Sequence, residues 1–206
     1  MSFLSGRGLK FDLTMLAPSA LTVVGGVTTL VSDTFTDSDS TVLSAHTPDI
    51  DTVGGGWTAG TGTPDIQSNK ASSPDDGDVN ADIDAGNANV IVSADVLIAT
   101  ANDGFIGLAM RYTSTTSKWS LEFSTTLLKL VERDTTSTTR ASTAITVAKD
   151  AEHALSATCS GDDFTCTING GDEITYTSTF NNSVTNHGLF GGNTASTWDN
   201  FLVTTV

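Results

Sequence analysis

Cysteine is almost missing from this chain. Cys159 and Cys166 are the only two in 206 residues, which excludes a disulfide-dense scaffold and any four-cysteine zinc site. A chain of this length holds a substantial core without such staples, and it fits one domain with an extra arm. Cations are scarce too: nine Lys and Arg stand against 24 Asp and Glu, a formal charge of −15. A nucleic-acid binder needs clustered Lys and Arg to displace counterions, so nucleic acid is not an expected partner. The imbalance is concentrated. From Asp33 to Asp103 there are thirteen Asp, no Glu or Arg, and only Lys70. Such a block is a solvated acidic face by default and a cation-binding face by exception.

Long apolar runs are also lacking. Arg7 and Lys10 precede a mildly apolar stretch from Leu13 to Val24, but Asp12, Thr14, Pro18, Ser19 and Thr22 interrupt it. The stretch matches a secretion signal poorly and is too polar and short to span a membrane. Met1 to Gly26 has apolar residues without a periodicity of its own, so it reads as an extended arm ending at the Gly25-Gly26 hinge. Its residues Phe3, Leu4, Leu9, Phe11, Leu13, Met15 and Leu16 would be buried against a partner surface. Residues 27–206 form the domain.

Catalytic signatures are sparse. The only glutamates are Glu122, Glu132, Glu152 and Glu173, and none is spaced as the carboxylate pair that a glycosidase needs. Glu122 reads as a lone polar residue on a solvent or concave face. His46, His153 and His187 lack a Gly-x-Ser-x-Gly elbow, and the glycine clusters lack the Lys and following helix that cradle phosphate. An enzyme is therefore not expected.

What is abundant is β-sheet material. Thr and Val are frequent, and their branched side chains suit a pleated surface. Short segments bounded by Gly, Asp, Asn, Ser or Thr recur over residues 27–35, 89–98, 105–112, 118–124, 127–133, 144–148, 153–160, 163–168, 173–177, 188–190 and 198–206. Ile106, Leu108, Met110 and Tyr112 share one face of their strand, as do Trp119, Leu121 and Phe123 on the next. A hairpin with Asp162-Asp163 at its tip places Cys159 opposite Cys166, both toward the core; buried free thiols are preferred there over a cross-strand disulfide. Many short antiparallel strands predict an all-β, two-sheet jelly-roll sandwich.

Two short motifs mark the limits of this unit: Asp33-Thr34-Phe35 opens it and Trp198-Asp199-Asn200-Phe201-Leu202-Val203 closes it. Between them lie His46-Thr47-Pro48, Gly56-Trp57, Gly107-Leu108-Ala109-Met110-Arg111-Tyr112, Phe164 to Gly170 and Gly188-Leu189-Phe190-Gly191-Gly192. In this order and spacing the chain resembles concanavalin A-like (laminin G-like) jelly rolls. With its Thr, Ser, Asp and Gly-rich style and its arm, it also resembles bacteriophage virion structural proteins. That resemblance implies a non-enzymatic virion protein, a capsid decoration protein or a tail or fibre component, present in multiple copies. The arm would dock on major capsid or tail proteins, with no membrane involved. The alternative is a carbohydrate-binding module, with a glycan-active enzyme as a further rival. Resemblance to sugar-binding jelly rolls makes Arg111, Trp119 and Tyr176 the glycan-binding candidates, although Trp119 alternates in phase with core residues. The same resemblance makes Asp33 and Asp199 the ligands of a calcium ion, the one cofactor expected to be possible but not required.

Overall fold

A computed structural model describes residues 26–73, 79–100, 104–191 and 195–206. In chain order its strands are β1 (Thr29–Asp33), β2 (Ile50–Asp51), β3 (Thr58–Thr61), β4 (Asp65–Ile66), β5 (Ala71–Ser72), β6 (Val79–Asp84), β7 (Val90–Leu97) and β8 (Ile106–Ser114). They continue with β9 (Ser117–Phe123), β10 (Leu127–Asp134), β11 (Thr136–Ala144), β12 (Glu152–Ser160), β13 (Asp163–Ile168), β14 (Glu173–Thr177), β15 (Asn186–Gly191) and β16 (Thr197–Thr205). Among the described residues the only helical element is a 3-10 turn at Leu43–Ala45.

Two antiparallel sheets form the jelly-roll sandwich. One runs β14-β13-β12-β7-β16-β1-β2, with β5 added against β16 and β4 against β5; the other runs β11-β10-β9-β8-β15-β6-β3. The two ends of the chain's β unit meet: β1 pairs with β16, placing Asp33 opposite Phe201. Alternation explains the core between the sheets. Val90, Val92, Ala94 and Val96 of β7 and Leu155, Ala157 and Cys159 of β12 face Ile106, Leu108, Met110, Trp119, Leu121 and Phe123 of the second sheet. Each fully buried Val, Leu, Ile or Phe contributes roughly 1.5–3 kcal/mol. Trp198 ties the layers together. It belongs to β16, yet its Nε1 donates to the Gly107 carbonyl in β8 at 2.8 Å, and a Cβ at Gly191 would lie 2.7 Å from its ring.

Three local expectations change. Gly161, at φ +57°, and Asp162 form the β12–β13 turn, closing on a Ser160–Asp163 pair. Cys159 therefore faces Phe164 and Cys166 faces Ala157, a diagonal arrangement of two free, buried thiols. Strand β11 covers residues 136–144 rather than 144–148. Its Thr-Ser-Thr-Thr-Arg sequence carries no apolar alternation because most of the strand is exposed. Strand β6 adds a strand inside the acidic block, between the predicted segments 27–35 and 89–98.

Candidate functional site

The seven-stranded sheet has an unusual outer face. On β9, Lys118, Ser120 and Glu122 alternate away from the core, yet each is almost wholly buried. Buried charges require partners, and here other strands supply them. Glu122 Oε2 lies 2.9 Å from Lys129 Nζ, its Oε1 lies 2.8 Å from Arg133 Nη2, and Ser120 Oγ donates to Oε1 at 2.6 Å. Lys118 donates to Asn80 Oδ1, and Asn80 Nδ2 donates to Thr61 Oγ1 at 2.7 Å. Ala109, Tyr112 and Phe190 form a small apolar cluster beneath these groups. Lys118 Nζ sits 5.2 Å from the Phe190 ring centre and Arg133 4.7 Å from it, within cation–π range.

Two adjoining cavities open on this face. The larger, about 700 Å³, is lined by residues including Thr58, Gly60, Asp82, Tyr112, Thr185 and Asn186. Asn186 Nδ2 donates to Asp82 Oδ2 at 2.7 Å. Burial raises the pKa of Asp82 against the opposing effect of that bond. Burial and the nearby Asp82 push the Tyr112 phenol up to about 12, so it remains a proton donor at neutral pH. The smaller cavity, about 240 Å³, is walled by Thr61, Thr115, Thr116, Thr135, Thr136 and Ser137 around Arg133. Thr115 lines both. Acceptors, amides, hydroxyls and an aromatic ring converging in a concave site suit a polyhydroxylated ligand.

The residues expected from sequence to bind glycan lie elsewhere. Arg111 is not a surface residue. It adopts φ +49° at a bulge in β8, which breaks the alternation that would have pointed it outward. It is fully buried, with Nη2 donating to the Gly161 carbonyl at 2.6 Å and its guanidinium 4.9 Å from the Phe164 ring centre. Among the described residues its Nε and Nη1 find no hydrogen-bond partner. Trp119 is core, packed on Phe164 at 4.7 Å with Nε1 donating to the Phe180 carbonyl. Tyr176, partly buried, packs against Trp119 at 5.8 Å. None of the three lines either cavity.

The calcium pair also separates. Asp33 is fully buried, and three donors occupy its oxygens: Phe35 N and His46 Nε2 on Oδ1, Trp57 Nε1 on Oδ2. Asp199 is partly exposed, 3.6 Å from Lys70 Nζ, and its Oδ1 accepts from Asn200 N. Its neighbour Trp198 faces the core, so Asp199 projects from the opposite side of the sheet. The two carboxylates therefore face opposite sides of the sheet. Among the described residues no group of three His, Cys, Asp or Glu is placed to hold a metal. The arm residues Phe3, Leu4, Leu9, Phe11, Leu13, Met15 and Leu16 lie outside the described residues.

Asp82, Asn186 and Arg133 were not anticipated. One signal was available: in Val79-Asn80-Ala81-Asp82-Ile83-Asp84, apolar and polar residues alternate strictly, which marks a strand with a polar outer face.

No family model matches the chain, and no curated protein matches it. Solved structures do. A carbohydrate-binding module, CBM66 from Bacillus subtilis, aligns over 70% of this chain and 92% of its own at 16% identity with a TM-score of 0.59. A Bacillus subtilis protein of unknown function with a galectin-like fold aligns over 72% and 90% at 12% identity, TM-score 0.55. The binding domain of botulinum neurotoxin serotype D aligns over 86% of this chain but 48% of its own, at 11% identity and TM-score 0.52. At such identities the likeness concerns the fold, and the chain has the galectin-like, concanavalin A-like two-sheet jelly roll.

Proposed function

We propose that this chain is a non-enzymatic carbohydrate-binding module that takes glycan on the outer face of its seven-stranded sheet. The observation that carries this reading is the larger cavity, where Asp82 and Asn186 offer fixed hydrogen-bonding groups beside Tyr112. Support comes from the shared fold of a module described as carbohydrate-binding. The state of Glu122 favours binding over hydrolysis. Both its oxygens are held by cations, whereas a retaining glycosidase needs two carboxylates about 5 Å apart and free to act on substrate.

The virion reading gains nothing from these neighbours, and the arm on which it rests lies outside the described residues. A glycan array probed with the full chain, followed by calorimetry on the best ligand, tests the proposal. Binding that weakens at least about tenfold in Asp82→Asn, a loss near 1.4 kcal/mol, is the expected result. An array that stays blank with and without calcium would sink it.

A further inference from the structure

We infer that the smaller cavity is an anion subsite in which Arg133 selects glycans bearing a carboxylate or sulfate. This rests on the reading of the sheet face as a glycan site. The two cavities differ in chemistry. The larger contains Asp82 and Asn186, acceptors suited to the hydroxyl protons of a neutral sugar. Among the described residues the lining of the smaller holds no acid: Arg133 is the one charged residue there, and the other six side chains are hydroxyls. In a chain with 24 acidic and nine basic residues, a lining that holds one cation and, among the described residues, no carboxylate departs from the overall composition.

Arg133 is also held ready. Its Nη2 donates to Glu122 at 2.8 Å, Nη1 to Ser137 Oγ at 2.9 Å and Nε to Ser120 Oγ at 3.4 Å. Phe190 supports the guanidinium from one side. Among the described residues these contacts use three of the five N–H donors that an arginine carries, which leaves one hydrogen on each terminal nitrogen. A planar fork fixed in this way loses little freedom on pairing with an anionic group. Glu122 does not cancel the charge alone, since Lys129 shares it at 2.9 Å. Because Thr115 borders both cavities, an oligosaccharide laid across it would place a neutral unit near Asp82 and an anionic unit at Arg133.

The test uses matched ligands on the full chain: oligogalacturonate against its methyl ester, and a sulfated galacto-oligosaccharide against its desulfated form. The first pair detects a carboxylate, the second a sulfate. The acidic member of at least one pair is expected to bind about tenfold tighter. In Arg133→Gln that preference should disappear while the neutral member still binds. The wild-type comparison stands without any variant, so a poorly folded Arg133→Gln does not leave the question open. Equal binding of acidic and neutral members overturns the anion subsite but keeps the glycan site. A preference that survives in folded Arg133→Gln overturns the assignment to Arg133. If no member of either pair binds and the glycan array is also blank, both readings fall.

Discussion

The indole N–H of Trp57 donates to Oδ2 of Asp33 at 2.6 Å, in a place where Asp33 has no exposure to solvent. The other oxygen of the same carboxylate accepts from Phe35 N at 2.7 Å and meets His46 Nε2 at 2.9 Å. One side chain at the end of β1 thus gathers the backbone of the next turn, the 3-10 segment's histidine and the indole after the glycine run. Phe35, held at φ +52° by this turn, then stacks near Trp57, and Trp57 meets Phe201 edge-on at 5.0 Å. The seam between the first and last strands is a closure device.

Removing that carboxylate should be costly. Asp33→Ala leaves a buried indole N–H and a histidine without their acceptor, a class of change that costs about 3–5 kcal/mol when a buried charged partner is lost. Urea denaturation of the variant should show a loss in that range. A loss under about 1 kcal/mol would mean that the network contributes little.

Two of the three buried histidines, His46 and His187, should act on stability with opposite signs. Burial pulls the His46 pKa down, but hydrogen bonds with Asp33 and Asp37 outweigh it and the value is raised. Its stabilisation is complete below the pKa of an unfolded histidine and fades as pH rises through the raised folded value. Burial lowers His187 to about 4, so its contribution is present above about 6.5 and is lost as pH falls toward 4. Melting curves from pH 4 to 8 should show His46→Gln flattening the alkaline side. The loss on the acid side, about 3 kcal/mol for His187, should remain in that variant.

Gly60 leaves space for the Tyr112 hydroxyl, onto which an added Cβ would project. The phenol end is movable, so Gly60→Ala should fold with a melting temperature close to the parent's while disturbing the larger cavity. Glycan affinity measured by calorimetry should fall about tenfold, or 1.4 kcal/mol. Unchanged affinity would place the ligand outside that cavity.

Burial pushes the Cys159 thiol up to about 12 and raises Cys166 as well. Neither forms a thiolate at neutral pH, and both are enclosed by the core. The native chain should therefore resist Ellman's reagent, with two thiols per chain appearing only on unfolding. Rapid labelling of the native protein would contradict this burial.

Much of the fold was legible because each strand writes its burial in a period of two. Trp119, Leu121 and Phe123 announce a core face, and the structure buries all three. The site was harder to read for the same reason. Alternation reports which side of a strand faces the core but not what happens on the other side. Lys118, Ser120 and Glu122 look solvent-facing in sequence, and only contacts with Asn80, Lys129 and Arg133 from other strands bury them. Arg111 misled because a single left-handed residue at a bulge reverses the rule.

From composition and periodicity alone, this chain was bound to be an acidic, disulfide-poor β-sandwich. Those properties are local or additive: charge sums along the chain, β-branched residues favour extension, and alternating apolar residues seek a common core. Tertiary structure alone decided that Asp33 would serve closure, that Arg111 would turn inward, and that Asp82, Asn186 and Arg133 would line adjoining cavities. Those outcomes depend on pairing between residues as far apart as Asp82 and Asn186, which sheet register brings together and no local pattern encodes.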